Sequence, residues 1–147
     1  MKKLILIIPI TLLFASCSKK DPSLSESSAP FIKIISVTPT VIHEFKDSIN
    51  ILIEYSDING DVGSTNPDVN DMAVKDSRLP KPDYYFVPPL SPPGSDIKIK
   101  GQMNIRIKNT FLIGAGGNEN MTYELQLKDN AGNYSNTAVT PQLTITK

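Results

Sequence analysis

Asp57, Asn59 and Asp61 place oxygen-bearing side chains at alternate positions of Asp57-Ile-Asn-Gly-Asp-Val-Gly63, with Gly60 between them to let the chain turn. Oxygen ligands at every second position of a tight loop are how a chain wraps a hard cation such as calcium. The details speak against an EF-hand. Val62 stands sixth, where that loop needs glycine, Asp68 stands twelfth in place of a bidentate Glu, and a β-run leads in where a helix is needed. Two readings stay open: a calcium-binding turn at the end of a β-domain, or an Asx-rich turn whose side chains bond their own backbone. A second oxygen-rich run, Asp129-Asn-Ala-Gly-Asn-Tyr-Ser-Asn136, has the Asn and Gly content of a hairpin connection. If both loops lie at one end of the domain, Asp129 joins Asp57, Asn59 and Asp61 as a fourth calcium ligand.

Other residues that could do chemistry are less promising. Gly114-Ala-Gly-Gly117 lacks the Lys-Ser or Lys-Thr of a phosphate loop and opens no helix, so it reads as a hairpin loop. His43 is the lone histidine, in a polar stretch that continues through Asp47, and any Ser-His-Asp or metal-hydrolase scheme would have to pass through it. Paired carboxylates such as Asp57 and Asp61 could serve a glycosidase, but a small β-domain without Trp is a poor sugar-cleaving platform. The expectation is a protein that is not an enzyme, with no catalytic residues and no organic cofactor.

These loops need strands to hold them. Phe31 to Thr38 is β-rich and stops at Pro39. Ser48 to Tyr55 alternates Ile49, Ile51, Ile53 and Tyr55 against Asn50, Leu52 and Glu54. Ile97 to Ile107 alternates in two halves, with Gly101 where a bulge or bend would fall. Met121 to Lys128 sets Met121, Tyr123, Leu125 and Leu127 on one face, and Ala138 to Thr146 carries Val139, Leu143 and Ile145. Further strands are expected at Tyr84 to Val87 and near Val41-Ile42. No apolar set recurs at helical spacing, so the prediction is an all-β domain, a sandwich of about seven strands, with a closed barrel as the other possibility.

The 147-residue chain is one domain in size and holds 15 basic against 15 acidic residues. Without clustered Lys and Arg, nucleic acid is not an expected partner. Met1-Lys-Lys precedes an apolar run from Leu4 to Phe14, too short to span a bilayer and ending on small residues, which reads as a secretion signal. Leu13-Phe-Ala-Ser-Cys17 resembles the lipobox of bacterial lipoproteins, which implies cleavage before Cys17 and a diacylglycerol on its thiol. Residues 1–16 are then the signal peptide and 17–30, polar with two prolines, a flexible tether whose reach is about 20 Å. Residues 31–147 form the domain. Cys17 is the only cysteine, so no disulfide supports the fold.

Six prolines, Pro80, Pro82, Pro88, Pro89, Pro92 and Pro93, bracket Tyr84-Tyr-Phe86. They read as a stiff crossover with an edge strand, or as an exposed aromatic surface for a protein or glycan partner. Tyr55 to Gly63, Leu79-Pro80, Lys100-Gly101, Lys128 to Asn136 and Thr140-Pro141 together resemble a group of small uncharacterised envelope lipoproteins of Bacteroidota. Members of that group typically read Asp-Gly-Asp-Gly-Asp, from which Ile58 and Asn59 depart. The resemblance implies an immunoglobulin-like sandwich and no known reaction. The expected protein is a non-enzymatic lipoprotein, exported and anchored in the cell envelope through Cys17, with the outer membrane as the expected site. It would serve as a structural or binding module. The alternative is an accessory glycan-binding subunit of a nutrient-uptake system.

Overall fold

The alternation read in Ile49 to Tyr55 builds the centre of the first layer. In the computed structural model, which describes residues 27–147, β3 (Ile49–Asp57) buries Ile49, Ile51 and Ile53 completely. It lies between β1 (Phe31–Thr38) and β6 (Ile99–Ile107), antiparallel to both. Residues 1–16 and Cys17 fall outside the described residues. Pairing of Phe31 with Ser56 brings the chain into the sandwich at the same end as Asp57. Pro30 is already buried, so packing begins one residue before the expected boundary.

Gly101 makes no bulge. It pairs in regular register with Tyr55, and a Cβ at Gly101 would meet the Tyr55 hydroxyl at 2.5 Å. The glycine therefore makes room for a ring that lies across the strand. The register shift in this layer falls instead between Ile34 and Ser36 of β1.

The second layer consists of two ladders that continue one another. In one, β10 (Leu143–Thr146) lies between β2 (Val41–His43) and β7 (Asn118–Met121). The other runs in the order β5 (Asp83–Phe86), β4 (Asn70–Asp76), β8 (Tyr123–Leu127), β9 (Ala138–Val139). Only Thr122 separates β7 from β8, and residues 140–142 separate β9 from β10. Across the break the Tyr123 N–H donates to Thr140 Oγ1 and the Thr140 N–H to the Tyr123 carbonyl, both at 2.9 Å. The ten strands thus form two layers, β1-β3-β6 against β2-β10/β9-β7/β8-β4-β5, which is the strand order of an immunoglobulin-like sandwich. No helix occurs among the described residues.

Leu125, Leu127, Leu143, Ile145 and Ile42 of the second layer pack into one core with Ile32, Ile51 and Ile53 of the first. Burying each such side chain contributes about 1.5–3 kcal/mol, which explains how the fold dispenses with disulfides. β4 was not anticipated from the sequence. Asn70-Asp-Met-Ala-Val-Lys-Asp76 is poor in strand-forming residues, yet β4 lies between β5 and β8 and buries Met72 and Val74. The expected edge strand at Tyr84-Tyr-Phe86 is present as β5, which among the described residues pairs only with β4.

Candidate metal centre

Asp57 ends β3, and the chain turns immediately after it because Gly60 adopts a φ of 68°. The turn is held by Asp57 itself, whose Oδ2 accepts the N–H of Gly60 at 2.6 Å and of Asp61 at 3.3 Å. The Asx turn expected as the plainer alternative therefore exists. It uses only one of the two carboxylate oxygens. Asp57 is 1% exposed, and its Oδ1 is buried without a hydrogen-bond partner among the described residues. Asp61 Oδ1 is in the same condition.

The turn after β8 comes to meet this loop. Val62 pairs with Asp129 in a single antiparallel bridge, the Asn130 N–H donates to the Asp61 carbonyl at 3.0 Å, and Asn130 Nδ2 donates to the Gly63 carbonyl at 2.9 Å. On the other side the Leu90 N–H donates to the Val62 carbonyl at 3.1 Å. Gly63, at φ 87°, lies so close to the Pro88 carbonyl that no side chain fits there. Asp129 is buried; its Oδ1 accepts the Asn133 N–H at 2.7 Å and its Oδ2 accepts Asn133 Nδ2 at 2.8 Å. Each oxygen keeps a further lone pair for another partner.

Asp57, Asp61 and Asp129 each offer a carboxylate oxygen, and these oxygens lie within 4.8 Å of one another. Three of the four residues expected to bind a cation are thereby brought together. Asn59 lines a shallow depression with Asp61, Gly94, Ser95 and Asp96. Three carboxylates this close repel one another, and burial removes the water that would screen them. Burial, with the Asp61 and Asp129 charges adding to it, holds the Asp57 carboxyl above the ordinary carboxylate range against the pull of the Gly60 and Asp61 N–H groups. A hard cation removes both costs at once, so the cluster can hold a metal ion.

Sequence reading missed Asp71. It lies at the start of the unanticipated β4, nearly buried, and burial raises its carboxyl while Lys128 lowers it and Asp129 raises it further. The one local signal was an acid directly preceding the Met72, Val74 alternation.

The other residues weighed for chemistry lie apart from the cluster. His43 bonds Asp47 at 2.9 Å beside the first residues of β3, and the length of that strand, about 25 Å, separates it from the carboxylates. Gly114 to Gly117 form a loop whose base is held by Glu119, which accepts the N–H groups of Ile113 and Gly114 and pairs with Arg78 at 2.6 Å. Tyr84 and Phe86 are 59% and 41% exposed on β5, whereas Tyr85 turns inward against the core.

No protein-family model matches the chain, and no curated protein matches it. Among solved structures it is similar to a mutant of the SrpA adhesin from Streptococcus sanguinis, at 17% identity and a TM-score of 0.37, over 83% of this chain and 58% of that one. This chain thus spans little more than half of that protein. The assignment of the fold rests on the strand order described above.

Proposed function

We propose that the protein is a non-enzymatic envelope lipoprotein, exported and held at the membrane by lipid on Cys17, whose immunoglobulin-like sandwich acts as a structural or binding module stiffened by calcium. The observation that carries the calcium reading is the pair of buried oxygens without a hydrogen-bond partner among the described residues, Asp57 Oδ1 and Asp61 Oδ1, in a cluster with Asp129. Calcium is the cation proposed, because the donors are all carboxylate oxygens, drawn from the Asp57 to Asp61 loop and the Asp129 turn. A cation there would brace the end at which the chain enters the sandwich. The outer membrane is the membrane proposed.

Thermal melting of residues 21 to 147, which contain the whole core, tests this reading. Millimolar calcium should raise the melting temperature over that in chelator, and Asp61→Ala should abolish the rise. Equal melting of the unsubstituted protein in both buffers would remove the cation from the proposal.

Tyr84 and Phe86, exposed together on an edge strand, favour a second reading as an accessory glycan-binding subunit. The residue to test is Tyr84, since Tyr85 packs inward. Glycan capture that survives Tyr84→Ala and Phe86→Ala would rule this surface out.

A further inference from the structure

Along β4, alternation puts Met72, Val74 and Asp76 on the inner face and leaves Ala73 and Lys75 half-buried on the other. By the same alternation Asp71 belongs with Ala73 and Lys75, yet it is 5% exposed. The register against β5 shifts between Asn70 and Met72, the two neighbours of Asp71. The Asp71 carbonyl accepts the Lys128 N–H at 2.8 Å, one residue before Asp129. Asp71 Oδ2 is buried with no hydrogen-bond partner among the described residues. The neighbouring Lys128 ammonium lies over the Tyr134 ring, 5.9 Å from its centroid.

We infer that Asp71 is a further acidic anchor of the cation site, reaching the ion from β4 through a coordinated water. The inference rests on the calcium reading above and extends it to a strand residue of the second layer. Asp71 stands outside the three carboxylates whose oxygens lie within 4.8 Å of one another, so its path to the ion is one water longer. Calcium loops commonly hold one oxygen partner in this way, and the number of charged ligands is what tightens them. A cation bound there would give the buried Asp71 Oδ2 the partner it lacks among the described residues.

Calcium titration of the protein by calorimetry, using calcium chloride alone, tests the inference together with melting in chelator. Asp71→Asn should weaken calcium binding about tenfold, as loss of a partner behind the direct ligands does, without lowering the metal-free melting temperature. Lys128→Met should leave the affinity unchanged or tighten it. Wild-type affinity in Asp71→Asn, with calcium binding intact in the parent, overturns the role of Asp71 alone. A tenfold loss in Lys128→Met as well would assign the effect to the Asp71 and Lys128 pair and also overturn it. No binding by the parent protein overturns this inference and the calcium reading together.

Discussion

Val62 and Asp129 pair across the end of the sandwich, in a bridge between a loop that leaves the first layer and a turn that leaves the second. With the Asn130 hydrogen bonds to the Asp61 and Gly63 carbonyls, that bridge holds the Asp57 loop against Asp129. It makes the carboxylate cluster a property of how the two layers meet and not of either loop alone. Anything that changes the charge of the cluster should therefore register in the stability of the whole domain.

The first prediction concerns pH in the absence of metal. Asp57 has a folded-state pKa raised above its unfolded value, so its ionisation disfavours folding above the folded pKa, and that cost disappears as pH falls through it. In chelator at neutral pH, Asp57→Asn should be more stable than the parent, since the amide oxygen can still accept from Gly60 and the repulsion is gone. The difference should shrink on acidification toward the ordinary carboxylate range. Denaturant melts of both proteins across this range check it, and a difference independent of pH would contradict it.

Asn136 clasps β1. Its Oδ1 accepts the Ile32 N–H and its Nδ2 donates to the Ile32 carbonyl, each at 2.9 Å, so one amide stands in for a strand partner. Asn136→Ala leaves two backbone groups beside a fully buried Ile32 without partners, and should cost about 1–3 kcal/mol. Urea denaturation measures the loss. Faster hydrogen exchange at the Ile32 amide would place it at β1.

Arg78 is the corresponding fastener at the far end. It pairs with Asp76 at 2.7 Å and Glu119 at 2.6 Å, and it also donates to the Phe111 carbonyl at 3.0 Å. The guanidinium is largely shielded, and Arg78→Met leaves Asp76 and Glu119 with only their backbone N–H partners, so it should destabilise by roughly 1–3 kcal/mol. Because the network lies away from the Asp57 end, the same variant should keep the full calcium-dependent rise in melting temperature. A variant that loses the rise while still folded would show that the two ends are coupled.

The alternation of Ile49, Ile51 and Ile53, and of Tyr123, Leu125 and Leu127, was legible because inward-facing residues must recur every second position of a half-buried strand. The turns at Gly60 and Gly132 were legible for a similarly local reason, as both adopt the positive φ that glycine tolerates. β4 was not legible. Its asparagine and aspartates disfavour a strand, and what makes it one is hydrogen bonding to β5 and β8 on its two sides.

From the sequence alone follow an all-β domain and an oxygen-rich turn at Asp57 to Asp61, because backbone preference and side-chain alternation act over a few residues. Only the tertiary structure decided that Asp129 meets that turn, that Asp71 is buried, that Tyr85 packs against the core while Tyr84 stays exposed, and that Gly101 makes room for Tyr55. Each of these depends on registers between strands far apart in the chain. A register shifted by one residue reverses every side chain it governs, so such contacts exist only once the two layers have packed.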